Sequence, residues 1–120
     1  MPTPIRLTAG HLSISTELND TVAAQDLKKR LPLKLTGYRS PVDYCCNVAC
    51  GLFDPAQTQT GWKNGDISLA GGWLAIFFDG EQQSENYRGV MVVAHLKESQ
   101  IEQIKKLPDS VKITIESENE

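Results

Sequence analysis

The sequence lacks several features that mark large classes of proteins. Its 120 residues contain no apolar run of the roughly 20 residues that a membrane-spanning helix needs. Lys and Arg number 12 against 15 Asp and Glu, so the basic excess typical of proteins that bind nucleic acid or anionic membranes is missing. The N-terminus has no basic start followed by an apolar stretch, which predicts no signal peptide. These absences favour a small cytoplasmic protein that binds neither nucleic acid nor membranes.

The chain also lacks internal repeats, low-complexity tracts and any linker long enough to divide it. A length of 120 residues fits one domain, because single domains cluster near roughly 100–150 residues. A chain of this size buries enough surface to fold without disulfides or a metal ion. We therefore predict a single domain over residues 1–120.

Alternating apolar residues indicate strands at both ends of the chain. The segments 5–8, 12–18 and 111–116 alternate with a period of two, which is typical of strands with one wet face. The segments 73–78 and 90–96 are apolar throughout, as expected for central strands of a sandwich or barrel. With the shorter segments between them, these patterns predict about eight strands.

Two segments change to helical spacing. Residues 21–31 start with good N-cap residues and end before Pro32, and Ser99 and Glu102 have the spacing of a capping box for a second helix. A sheet of about eight strands protects its edges most simply by closing on itself. We therefore predict a mainly β fold, a small closed barrel of about eight strands with two short α-helices capping its ends.

The order of these segments resembles a known family. Leu18–Ala24 opens a helix that Leu31–Leu33 ends, and Gly65–Ile67 precedes the apolar run Trp73–Phe78. This arrangement is similar to that of the cyclophilin-like proteins of bacteria and archaea, over about residues 5–97. The resemblance implies a cyclophilin-type β-barrel, in a group that mostly has no assigned activity.

The sequence does not contain the residue pattern that marks catalytically active cyclophilins. Cyclophilins that isomerise prolyl bonds carry a Phe-His-Arg segment, whereas neither His11 nor His95 follows a Phe here. No catalytic residue is therefore transferred from them, and a fold by itself does not imply an activity.

Aromatic and arginine residues form the most suggestive pattern. Tyr38-Arg39 and Tyr87-Arg88 each place a ring beside a guanidinium, a combination that holds a flat group and anchors a carbonyl or carboxylate. Trp62 lies in the polar loop 54–66 and is the best single pocket candidate. Trp73, Phe77 and Met91 have core packing as their alternative role. The candidate ligand-binding residues are Tyr38, Arg39, Trp62, Trp73, Phe77, Arg88 and Met91.

The cysteines and histidines fit structural roles. Cys45, Cys46 and Cys50 are three thiols, two of them adjacent, whereas structural zinc sites use four ligands in spaced pairs. We interpret them as unpaired thiols in a reducing compartment. His95 lies in an apolar strand and is interpreted as a structural histidine rather than a catalytic base. The sequence predicts no metal and no cofactor.

Three functions follow from these observations. The first is a barrel that binds a small molecule or a short peptide without catalysis. The second is a divergent peptidyl-prolyl isomerase that uses Arg39 or Arg88. The third is a structural or oligomerising domain, and the oligomeric state itself, monomer or homodimer, stays open.

Overall fold

The computed structural model describes residues 2–118, which form eight strands and two α-helices. Two short 3-10 turns lie in the long loops. The elements in chain order are β1 (Thr3–Ala9), β2 (Leu12–Leu18), α1 (Val22–Arg30), β3 (Leu33–Arg39), β4 (Asp43–Asn47), β5 (Asp66–Ala70), β6 (Trp73–Phe77), β7 (Met91–His95), α2 (Glu98–Lys105) and β8 (Ser110–Ser117).

The strands close into one antiparallel barrel, which confirms the predicted fold class. Their order around the barrel is β1-β2-β7-β5-β6-β4-β3-β8, and β8 pairs with β1. Pairing is extensive at most junctions, with seven residue pairs between β1 and β2. The β2–β7 junction is different, because Leu18 and Ala94 are its one residue pair. The barrel is closed there by a narrow seam.

The two helices lie at opposite ends of the barrel. β2 leads into α1 and β7 leads into α2, and these two strands are antiparallel neighbours. Each helix buries a short apolar stripe in the core, Ala23 and Leu27 from α1 and Ile101 and Ile104 from α2. The predicted helix over 21–31 agrees with α1. None of the helices within residues 2–118 is long and apolar enough to cross a membrane.

The start of α2 corrects the predicted capping box. The helix begins at Glu98 with Lys97 as its N-cap, so Ser99 and Glu102 both lie inside it. The side chain of Gln100 accepts a hydrogen bond from the Lys97 backbone N–H at 2.8 Å. A glutamine at the third helical position thus takes the role that the sequence pattern gave to Glu102.

Candidate functional site

Alternation along β6 divides the predicted aromatic residues between the two faces of the sheet. Leu74 and Ile76 lie in the core, so Trp73, Ala75 and Phe77 face outward. Cys45 pairs with Ala75 on one side and Tyr38 pairs with Cys45 in turn. Tyr38 and Trp73 are exposed, while the two small residues between them are half-buried. We call Tyr38, Cys45, Trp73 and Ala75 the outer patch.

Trp62 is buried on the outside of the barrel and does not lie in an exposed loop pocket. Its ring stacks on Phe77 at a centroid distance of 4.1 Å and meets Tyr87 at 5.2 Å. Its indole Nε1 donates to the carbonyl of Asp79 at 3.0 Å, and the residue is only 8% exposed. The polar loop folds back over the sheet, so Trp62 is a packing residue of an outer layer.

Arg39 points toward the helix at the far end of the barrel. Its Nη1 donates to the Tyr44 hydroxyl and to the Lys105 carbonyl, each at 2.9 Å, and lies 3.3 Å from the Leu107 carbonyl. The guanidinium also lies 4.8 Å from the centroid of the Phe78 ring. A cation is favourable at carbonyls that end a helix, so Arg39 holds the end of α2.

The last two predicted residues differ in burial. Arg88 is exposed in the loop before β7. Met91 is buried in the barrel, where it pairs with Leu69 and also lines a cavity. The structure therefore gathers Tyr38, Trp73, Phe77 and Trp62 on one outer side, and separates Arg39 and Met91 from them.

The cysteines occupy three different environments. Cys46 faces the core, whereas Cys45 faces outward and its Sγ lies 3.2 Å from an Asp43 carboxylate oxygen. Burial raises the pKa of both thiols to about 12, and for Cys45 the hydrogen bond to Asp43 adds to that effect. Cys50 lies beyond the end of β4 and is exposed. The residues from 2 to 118 contain no group of three His, Cys, Asp or Glu side chains arranged for a metal ion.

An apolar cavity of about 250 Å³ lies at the α1 end of the barrel. Met91 and Leu69 reach it from the strands and Ala23 from α1. Leu52 and Phe53 line it from the loop that follows β4, although these two residues are 66% and 55% exposed. Its remaining lining residues are Cys50, Gly51, Ala70, Gly71 and Gly89. We call this cavity the α1 pocket.

The loop that covers the α1 pocket runs along α1 in the opposite direction. Arg30 donates to the Ala49 carbonyl at 2.8 Å, and the Leu52 N–H lies 3.3 Å from an Asp26 carboxylate oxygen. At the start of the helix, the Val22 N–H donates to the side chain of Gln57 at 2.8 Å. The helix therefore holds the loop at three points, at Ala49, Leu52 and Gln57, and Phe53 lies between the last two.

His95 forms a pair with Asp66, which lies in the Gly65–Ile67 segment. Its Nδ1 lies 2.7 Å from the Asp66 carboxylate, and the second Asp66 oxygen accepts from the Lys63 N–H at 2.8 Å. Asp66 is nearly buried, with 7% of its side chain exposed, whereas the His95 side chain is 54% exposed. The strand register brings this pair together across β5 and β7.

Sequence reasoning missed Leu52 and Phe53 as pocket residues. The two residues form an apolar pair within an otherwise irregular segment, and an exposed apolar pair in a loop is the signal available for them. Asp66 lies in the Gly65–Ile67 motif, but its pairing with His95 depends on strand order, which the motif does not contain.

Comparison with known proteins identifies the family. The solution structure of the hypothetical protein AF2241 from Archaeoglobus fulgidus matches with a TM-score of 0.69 and 15% identity, covering 97% of this chain and 95% of that one. At this identity the likeness concerns the fold. No curated protein matches the chain. The Cyclophilin-like family matches residues 7–116. The chain, a closed antiparallel barrel with a helix at each end, belongs to the cyclophilin-like family.

Proposed function

We propose that this protein is a cytoplasmic, non-catalytic binding domain for a small and mainly apolar molecule held in the α1 pocket. One observation carries the proposal: two large apolar side chains, Leu52 and Phe53, stand exposed over a concave apolar cavity. Leaving such side chains in water is unfavourable, and exposed apolar groups around a cavity are typical of ligand sites.

The lining of the α1 pocket defines the class of ligand. A cavity of about 150 Å³ holds benzene, so the 250 Å³ here suits a molecule of about two fused rings. No charged residue lines the pocket among the described residues, and burying an unpaired charge is costly. The ligand is therefore uncharged, with a polar group directed to solvent or to backbone amides.

NMR of the methionine methyl groups tests this proposal, because the spectrum contains few overlapping signals. The chain has two methionines, Met1 and Met91, so selective methyl labelling gives one signal from inside the pocket. With 2-naphthol as the probe, we expect a saturable shift of the Met91 methyl signal and an increase in thermal stability by mass action. An unchanged Met91 signal at saturating probe would contradict the proposal.

A pair of variants separates the pocket from other apolar surfaces. Leu52→Ala combined with Phe53→Ala removes the exposed cover of the pocket. We expect this double variant to bind 2-naphthol about tenfold more weakly, or weaker still. The matched control combines Tyr38→Ala and Trp73→Ala, two exposed aromatic residues of the outer patch. The proposal expects the control to bind like the wild type. Equal losses in both variants would indicate nonspecific adsorption.

The outer patch supports a second candidate function, binding of a short apolar peptide. The exposed rings of Tyr38 and Trp73 flank the small side chains of Cys45 and Ala75. Together they would form a shallow binding site for a proline or an aliphatic side chain. A proline-containing peptide that shifts Trp73 signals while the Met91 methyl signal stays unchanged would favour this function over the pocket.

The isomerase alternative rests on Arg88. The Arg39 guanidinium is engaged by Tyr44 and by the end of α2, whereas Arg88 is exposed. A prolyl-peptide turnover assay tests it, with Arg88→Ala as the variant and Arg6→Ala as the control. Turnover that is lost in the first variant and kept in the second would establish an isomerase. Our proposal expects no turnover by the wild-type protein.

A further inference from the structure

A second cavity, of about 670 Å³, lies along the β2–β7 seam. Leu18 and Ala94 form the one residue pair of this junction among the described residues. From there toward α2, strands β2 and β7 form no further pair, and the cavity lies between them. Apolar groups of Leu18, Val92 and Ala94 contribute to the lining, together with Glu17, His95 and Lys97. We call this cavity the seam groove.

One wall of the seam groove presents a fixed imidazole. Asp66 is nearly buried and its Oδ1 lies 2.7 Å from Nδ1 of His95. Because a carboxylate accepts hydrogen bonds, Nδ1 carries the proton that is donated, and Nε2 is the ring nitrogen that is left for a ligand. The ring is therefore oriented before any ligand arrives, which lowers the cost of binding.

Charged residues of both signs line the seam groove. Glu17 precedes Leu18 on β2, whereas His95 follows Ala94 on β7 and Lys97 comes two residues later. Within residues 2–118, neither the Glu17 carboxylate nor the Lys97 ammonium has an ion-pair or hydrogen-bond partner. Among the described residues, the groove thus offers one unpaired carboxylate on the β2 wall and one unpaired ammonium on the other. Its second carboxylate, Glu118, is already bound by Arg6 and Ser15.

The other polar side chains of the seam groove are already engaged. Gln100 donates to the Ser15 carbonyl at 2.9 Å, and Thr16 donates to the His95 carbonyl at 2.9 Å. The Asn19 side chain donates to the Val92 carbonyl at 2.8 Å. These bonds occupy backbone acceptors that an added strand would need, so they disfavour strand addition at the open edge of β2.

We propose that the seam groove binds a small zwitterion of dipeptide size, with its ammonium at Glu17, its carboxylate at Lys97 and its peptide N–H donating to Nε2 of His95. A ligand of one charge sign would leave one of these charges unmatched, whereas a zwitterion pairs with both walls. This site is separate from the α1 pocket, and its test does not depend on the proposed function.

Histidine NMR with glycylglycine as the probe tests this assignment. The chain has two histidines, so His95 reports on the groove and His11, exposed in the β1–β2 turn, is the internal control. We expect a saturable shift of the His95 ring signals and none for His11. N-acetylglycylglycine lacks the ammonium and glycylglycinamide lacks the carboxylate, and each is expected to bind about tenfold more weakly.

Charge-neutralising variants complete the test. Glu17→Gln and Lys97→Met are each expected to lower the affinity for glycylglycine by about tenfold. The control is Glu85→Gln, at an exposed acidic residue of another loop, and we expect it to leave that affinity unchanged. Equal binding of the capped dipeptides would overturn the zwitterion assignment. So would the absence of a saturable His95 shift, or binding of a capped extended peptide that shifts the β2 amides instead.

Discussion

Replacing Arg39 by methionine tests whether this residue fastens α2 to the barrel. The substitution keeps an unbranched side chain of similar reach but removes the guanidinium. It deletes the hydrogen bonds to the Tyr44 hydroxyl and the Lys105 carbonyl at 2.9 Å and to the Leu107 carbonyl at 3.3 Å. It also removes the contact with the Phe78 ring at 4.8 Å. The Tyr44 hydroxyl keeps its own bond to the Leu107 carbonyl at 2.7 Å. The loss is therefore confined to what Arg39 itself supplies.

The expected magnitude follows from those contacts. A hydrogen bond from a charged donor contributes about 1.5–3 kcal/mol to folding, and a cation beside a ring about 0.5–1 kcal/mol. Arg39 is half-buried, so solvent screens part of this contribution. We expect Arg39→Met to lower the free energy of unfolding by about 2–3 kcal/mol. The melting temperature should fall by about 6–15 °C.

Urea denaturation followed by circular dichroism measures this loss. The matched control is Arg88→Met, because Arg88 is exposed. We expect the control to change the unfolding free energy by less than about 0.5 kcal/mol. A loss in Arg39→Met no larger than in the control would refute the structural role of Arg39 and reopen it as a ligand-binding residue.

Three further predictions concern thiols, an ion pair and the tryptophans. Cys50 should react rapidly with dithionitrobenzoate and the other two thiols slowly, because burial raises their pKa values to about 12, and Cys50→Ser should remove the fast phase. The hydrogen bond from Arg6 lowers the pKa of Glu118, so the stabilisation is present above the ordinary glutamate pKa and is lost as pH falls. A carboxyl-carbon NMR titration of Arg6→Gln should show that pKa raised, and an unchanged value would contradict the pairing. Acrylamide should quench Trp62→Phe, which keeps the exposed Trp73, more strongly than Trp73→Phe, and equal quenching would contradict their placement.

Periodicity in the sequence predicts the barrel because each strand has one face in a shared core. Residues 111–116 alternate with period two and lie in β8, and the segment 21–31 has helical spacing and consists of α1 with its two cap residues. The apolar run at 73–78 has a different cause, since β6 faces the core with Leu74 and Ile76 while Trp62 covers Phe77 from outside. A run that is apolar on both faces does not show which of its outward residues is covered: Phe77 is buried, whereas Trp73 is exposed.

The sites depend on contacts that no local pattern contains. Tyr38 and Arg39 are adjacent, yet strand alternation sends one outward and the other to the end of α2. Asp66 and His95 are 29 residues apart and meet because β5 and β7 are neighbours. Phe53 lines a pocket because α1 holds its loop. Such placements follow from the order of strands around the barrel, which the sequence pattern leaves open.

Intermolecular NOE measurement on the complex with 2-naphthol addresses the binding function at atomic distance. If the α1 pocket is the ligand site, naphthol protons give NOEs to the Met91 methyl group and to the ring of Phe53. NOEs confined to the exposed rings of Tyr38 and Trp73 would contradict this account and place the ligand on the outside of the barrel.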